Sequence, residues 1–280
     1  MSNIKQQIAQ LRISILGRIA YYLIPYRRKV LMDNIQQVFA QQLSKAESVL
    51  LAQAFYSHLL TTFKEIIQLR FLSDAALSTK VEVRGYQYLL DIAAENKGVL
   101  ILTGHFCSWE FAPLGGILNF KQFKGHFHFI RRRLKNKYLE KILFHRYDRV
   151  GLKIITKDQA LQYLDSALEQ NHAVVFVLDQ HASLVNKDGI AVEFFGKKAG
   201  TYRSLATLAR YTGIPVVPST TYRLPNGKHI LEFYSPIYWQ EYATTQESLY
   251  HNTRAYNAAL EKIILAHPEQ WMWLHKRWKL

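Results

Sequence analysis

The residues best suited to chemistry are His105 and Glu110, in the string GHFCSWEF that directly follows the apolar run GVLILT. An imidazole exchanges protons near neutral pH, and a carboxylate beside it fixes its tautomer, leaving the second ring nitrogen to take a proton from an alcohol. Five positions apart, the two would sit about 140° from each other on one continuous helix and could not share a face. They converge only if His105 lies in a turn after a strand and Glu110 in the first turn of a helix. Gly104 permits the turn, and Ser108 or a neighbour can begin the helix. So short a pattern also suits a histidine with a purely structural hydrogen bond, so the elements around it have to decide.

Other chemistries lack support. There is no GxSxG elbow, GxxxxGK[ST] phosphate loop, GxGxxG turn or HExxH, which removes the usual hydrolase, NTPase, dehydrogenase and zinc protease motifs. Cys107 is the only cysteine, so no intramolecular disulfide forms and a reducing compartment is expected. As a covalent acyl carrier it competes with the commoner role of a small buried hydrophobe. His126 and His128 alternate along an apolar run, with His172 and His181 elsewhere, but without CxxC or HExxH spacing ordinary packing is expected and no metal site.

The elements that must position His105 are read from the apolar pattern. Short β-branched runs alternate with helical patterns from Lys80 onward, which predicts an α/β fold: a central, mostly parallel or mixed sheet flanked by helices, with an N-terminal helical appendage. Strands are expected near Val81 to Val83, Val99 to Thr103, Gly125 to Ile130, Leu152 to Ile155, Ala173 to Leu178 and Pro215 to Thr220, with His229 to Tyr234 as an antiparallel edge. His105 then stands at the carboxyl end of a strand, where open α/β sheets bind ligands. Ser44 and Glu47 form a capping box for a helix reaching about Arg70, and Thr244 to Ala266 reads as another. The division is 1–79, a helical region, and 80–280, the α/β domain.

With 36 Lys and Arg against 21 Asp and Glu in 280 residues, the net charge of +15 calls for a polyanionic partner: nucleic acid or anionic lipid. The 37 aromatic residues, 15 Phe, 17 Tyr and 5 Trp, would suit base stacking, but nucleic-acid-binding motifs are absent and no nucleic acid partner is expected. Ile4, Ile8, Leu11 and Ile15 share one face of an amphipathic helix that Pro25 stops. It either packs on the core or lies in a lipid interface. Packing on the core is at least as common for such a stripe, while Tyr21, Tyr22 and Tyr26 beside Arg27, Arg28 and Lys29 support the interface. Neither an export signal nor a spanning helix is expected. At the other end, Trp271, Trp273 and Trp278 with His275, Lys276 and Arg277 are expected to form a helix on lipid headgroups, the alternative being a lid on the core.

Around these residues the sequence resembles the late acyltransferases of lipid A biosynthesis, a branch of the lysophospholipid acyltransferase superfamily. GHFCSWEF is similar to their His-x4-Glu block, and further matches follow in order: DNIQQVFA from Asp33, LDQHAS around Asp179 and Gln180, VEFFGKKAGTYR from Val192, ARYTGIPVVP from Ala209 and PEQWMWLHKRWK from Pro268. Members usually begin with a longer hydrophobic anchor, in place of which this chain has the short segment before Pro25.

The resemblance implies transfer of a fatty acyl group from acyl carrier protein, or acyl-CoA, to a hydroxyl of a glycolipid at the cytoplasmic face of the inner membrane, with a peripheral or monotopic attachment and no cofactor. It implies His105 as general base, Glu110 as its orienting or polarising partner, and Asp179 and Gln180 in substrate binding, with an arginine before Gly151 that is either Arg146 or Arg149. Arg131 and Arg132, with Arg133, Lys135 and Lys137, follow a strand end and suit sugar phosphates or the carrier's phosphopantetheine; a solvated face is the plainer reading. A helix N-terminus around Phe106 to Ser108 is expected to offer backbone N–H groups to an oxyanion. A lipid-binding relative without turnover is the remaining alternative.

Overall fold

The computed structural model describes residues 4–40, 42–95, 97–123, 126–130, 147, 150–155, 160–185 and 188–279. Helices lead: α1 (Ile4–Ala9), α2 (Ile15–Leu23), α3 (Arg28–Phe39), α4 (Lys45–Gln68) and α5 (Asp74–Ser78). Strands and helices then alternate as β1 (Val81–Arg84), α6 (Gln87–Ala94), β2 (Val99–Thr103), α7 (Phe111–Asn119), β3 (Phe127–Ile130), β4 (Leu152–Ile155), α8 (Ala160–Glu169) and β5 (Ala173–Val177). A hairpin follows, β6 (Gly189–Phe194) with β7 (Lys197–Tyr202), then α9 (Ser204–Thr212), β8 (Val216–Arg223), β9 (His229–Phe233), α10 (Thr245–Ala266) and a 3₁₀ turn at Pro268–Gln270.

The main sheet has the order β1-β9-β8-β2-β5-β3-β4, parallel throughout except for the antiparallel pair β8 and β9. Burial explains why β2 and β5 read as unbroken apolar runs: both lie inside the sheet with four of their five residues buried. The capping box expected at Ser44 is formed, and a second one starts α10. Ser44 and Glu47 pair reciprocally at the start of α4, and Thr244 and Glu247 at the start of α10, each supplying partners to amide groups a helix end leaves open. One buried cluster runs from Ile8 through the strands to Trp273, so the N-terminal helices and the sheet share a core.

Three expectations change. β9 is not an edge strand, because β1 pairs with its free side in parallel and becomes the edge itself. The β6–β7 hairpin was not expected; its turn carries Phe195 and Gly196 at φ 49° and 72°, a two-residue left-handed turn that the Phe at its first position hides from sequence rules. The N-terminal stripe is two helices, because Ser14 caps a new one: its Oγ accepts from Gly17 N–H at 3.0 Å, and its own N–H donates to Ser57 Oγ on α4. The new start sends Ile8 into the core while Ile15, Leu16, Ile19 and Leu23 face outward, 45 to 78 % exposed, opposite Gly17 and Ala20, which are buried. No helix of the described residues is long and apolar enough to cross a membrane.

Candidate active site

The register of two neighbouring strands builds the site. Thr103 at the end of β2 pairs with Val177 at the end of β5, and two residues past each strand stand His105 and Asp179. Because the strands are parallel, both loops leave at the same carboxyl edge. His105 Nδ1 lies 2.9 Å from Asp179 Oδ1, and the His105 backbone N–H donates to Oδ2 at 2.7 Å. Gly104 makes this approach possible: a Cβ there would sit 3.1 Å from Asp179 Oδ2 and 2.9 Å from the Phe106 ring. Its role is close approach, not an unusual dihedral.

Asp179 is fully buried, yet three donors hold its charge, the third being Trp271 Nε1 at 2.9 Å. Burial disfavours the carboxylate, but the facing imidazole and these hydrogen bonds outweigh it and hold the group below the usual carboxylate range. Burial likewise opposes protonation of His105, and the attraction of Asp179, with a smaller one from Glu110, turns the balance so that its pKa is raised. The imidazole remains a quarter exposed, so a substrate can reach it.

Glu110 occupies the N-cap position of α7, half-buried, with His105 in the turn before it, as the spacing requires. The carboxylate bonded to Nδ1 is nonetheless that of Asp179; Glu110 acts on the ring through its charge. The short pattern could not reveal this partner because it comes from a strand 74 positions away.

The C-terminal segment is not a headgroup helix. Phe106 and Trp271 form an antiparallel bridge, Cys107 N–H donates to Gln270 O at 2.7 Å, and Met272 N–H to His105 O at 3.0 Å. Trp271 and Trp273 are fully buried, and half-buried Trp278 donates to Phe194 O, so none of the three forms a lipid-facing belt: pairing with the His105 turn is worth more than exposure. Two of the three expected oxyanion donors are already engaged: the N–H of Phe106 is bonded to Gly104 O and that of Cys107 to Gln270 O, while α7 starts only at Phe111.

This arrangement surrounds His105 with further polar and aromatic side chains. His275 stands with its ring 5.0 Å from that of His105, and the Gln180 side-chain nitrogen lies between them, 3.2 Å from His105 Nε2 and 3.4 Å from His275 Nε2. Arg277, fully buried, donates to Gly200 O, Thr201 Oγ1 and the Gln180 backbone carbonyl, with its guanidinium 4.7 Å from the Phe194 ring centre. Trp109 packs edge-on to His105 and walls a small cleft lined also by Phe55, His58, Leu59, Met272 and Glu269.

Of the other candidates, Cys107 is buried, with a thiol pKa pushed up to about 12 chiefly by desolvation, and is no nucleophile. His128 Nε2 and His172 Nδ1 lie 2.9 Å apart, with His126 packed edge-on to His172. Among the described residues no group of three His, Cys, Asp or Glu could hold a metal ion. Arg27 and Lys29 are exposed, and Arg28 is folded back onto the Tyr21 and Tyr22 carbonyls. Arg131, Arg132, Arg133, Lys135, Lys137, Arg146 and Arg149 lie outside the described residues.

Comparison with known proteins identifies the family. The family described as "Bacterial lipid A biosynthesis acyltransferase" matches residues 5–280. The lipid A biosynthesis lauroyltransferase of Escherichia coli K12 is 24% identical over 265 residues, covering 94% of this chain and 83% of the relative. The palmitoleoyltransferase of the same organism is 25% identical over 274 residues, covering 94% and 82%. A solved structure, the 1-acyl-sn-glycerophosphate acyltransferase PlsC from Thermotoga maritima, aligns with a TM-score of 0.38 at 18% identity, over 89% of this chain and 96% of that one.

Proposed function

The chain belongs to the bacterial lipid A biosynthesis acyltransferases, and on that basis we propose that it transfers a fatty acyl group from the thioester of acyl carrier protein, or acyl-CoA, to a hydroxyl of a lipid A precursor at the cytoplasmic face of the inner membrane. The observation that carries the reading is the His105 Nδ1 contact with buried Asp179 at the ends of adjacent parallel strands. With Nδ1–H donated to the carboxylate, Nε2 holds a lone pair for a proton.

A thioester is already activated, so the protein's task is to generate and align the nucleophile. The acceptor hydroxyl gives its proton to His105 Nε2 as its oxygen bonds to the thioester carbon. The tetrahedral intermediate collapses with loss of the C–S bond, and the imidazolium returns the proton to the departing thiolate. Glu110 and Asp179 stabilise the imidazolium in between. The apolar wall of the cleft beside Trp109 receives the first methylenes of the chain. Arg131, Arg132, and Arg146 or Arg149 hold phosphates of the acceptor or of the donor's pantetheine arm.

The membrane surface is met by α2, whose row of Ile15, Leu16, Ile19 and Leu23 is flanked by Arg18, Arg27 and Lys29, all exposed. An apolar stripe bordered by cations suits an anionic leaflet. Purified protein incubated with lauroyl-acyl carrier protein and a lipid A precursor should give a product heavier by one lauroyl group, and His105→Ala should lose it while staying folded. Full transfer by that variant rejects the reading.

A further inference from the structure

The oxyanion of the tetrahedral intermediate has no donor among the N–H groups of Phe106 and Cys107, which are spent within the turn and on the C-terminal segment. The Gln180 side chain offers another donor within reach of His105. We propose that the side-chain amide of Gln180 is that oxyanion donor, a catalytic residue, and that His275 is its positioning residue.

The distances distinguish this from a role in holding the acceptor. The Gln180 nitrogen is 3.2 Å from His105 Nε2 and 3.5 Å from Nδ1. With the two ring nitrogens about 2.2 Å apart, the amide sits to the side of Nε2, about 80° from the line joining them, and leaves the lone pair open. An acceptor oxygen on that lone pair, about 2.8 Å from Nε2, would be about 4 Å from the amide nitrogen, too far for a hydrogen bond. The thioester oxygen, one carbon further on, can reach hydrogen-bond distance when the carbonyl is turned toward the amide. The amide thus addresses the atom that gains charge and bypasses the nucleophile, as differential stabilisation requires.

The surroundings set the amide's orientation. Nδ1–H of His105 is committed to Asp179; His275, its pKa lowered chiefly by burial, offers Nε2 as an acceptor at 3.4 Å in the tautomer that carries its proton on Nδ1. An acceptor facing one end of a carboxamide selects its nitrogen. From the other side, Arg277 binds the Gln180 carbonyl at 3.4 Å and fixes the backbone from which the side chain extends. One N–H stays with His275 while the other turns to the oxyanion.

The inference rests on the acyltransferase reading, and its test separates the two. Lauroyl-acyl carrier protein is offered to wild type, Gln180→Ala, His275→Asn, His275→Leu and Gln180→Ala/His275→Leu, with and without the lipid A precursor. Gln180→Ala should lower kcat about 10² to 10³-fold, both for transfer and for the slow thioester hydrolysis expected without acceptor, with the acceptor KM within threefold of wild type. His275→Asn, whose carbonyl still accepts from the amide, should keep most of kcat. His275→Leu should fall with Gln180→Ala, and the double variant no further. Unchanged thermal unfolding excludes loss of fold. A raised acceptor KM with hydrolysis intact, or additive losses in the double variant, overturns the proposal alone. Absence of both transfer and hydrolysis in wild type overturns the acyltransferase reading and the proposal with it.

Discussion

His105 Nδ1 and Asp179 Oδ1 lie 2.9 Å apart across the ends of two paired strands, with 74 positions between them in the chain. The carboxylate is buried and bound by three donors, one of them from the C-terminal segment. Its charge is therefore fixed in place before any substrate arrives, which preorganises the imidazole.

This relationship predicts how activity responds to pH. Asp179 raises the His105 pKa more than Glu110 does. A general base works when neutral, so the acid limb of kcat/KM marks the pH at which His105 loses its proton. Removing a charge that favours the imidazolium lowers that pKa and moves the limb to lower pH. Asp179→Asn should shift it further than Glu110→Gln, and should also cut kcat by about 10³ to 10⁴-fold, as in other dyads deprived of the orienting carboxylate. Profiles measured on a soluble acyl donor check both. A larger shift in Glu110→Gln would return the dominant role to the His-x4-Glu pair.

What the sequence made legible is the half of the site that is local. The apolar run VLILT, the turn at Gly104 and the helix beginning after Glu110 follow from periodicity and turn chemistry. Asp179 could be named only through a family resemblance, because its bond to His105 depends on β2 and β5 being neighbours, and strand order is not written in either strand. The tail failed for a related reason: a tryptophan-rich, cationic stretch has the composition of a membrane belt, and only its pairing with Phe106 makes it core.

Acid stability follows from buried histidines. His58 has its pKa lowered to about 3, first by burial and then by Arg223, and His128 to about 4, first by burial and then by His172. Below the unfolded value near 6.5 the unfolded chain takes up protons that these sites refuse, so stability declines as pH falls from about 6.5 toward 4. Glu65, lowered to about 2 by His229 and Arg223 against the effect of burial, adds its own loss only below about 4.5. Thermal unfolding between pH 8 and 4 should thus begin to weaken near pH 6.5, and His128→Gln should flatten the early part. A melting temperature constant down to pH 4.5 would contradict the assignment.

Cys107 provides a negative control for covalent catalysis. The thiol is buried and its pKa lies near 12, so neither thiolate nor access is available at neutral pH. Cys107→Ser should retain acyl transfer within a few-fold, and iodoacetamide should label the native protein only as fast as it unfolds. Rapid labelling, or accumulation of an acylated Cys107 during turnover, would show the opposite.

Helix α2 separates packing from membrane contact on its two faces. Gly17 lies against α4 so closely that a Cβ would sit 2.8 Å from Ser57 N and 2.9 Å from Ser57 Cα, both backbone atoms that cannot swing aside. Gly17→Ala should therefore cost about 1 to 3 kcal/mol in urea unfolding, as overpacking does elsewhere, despite the higher helix propensity of alanine. Two residues on, Ile19 faces outward and is 45% exposed. Ile19→Ser should change stability by less than about 0.5 kcal/mol, yet weaken co-sedimentation with vesicles of anionic phospholipid, since it removes apolar area available for insertion. If Ile19→Ser destabilises the fold as much as Gly17→Ala and leaves vesicle binding untouched, the outer face of α2 is covered by protein and the lipid-facing assignment fails.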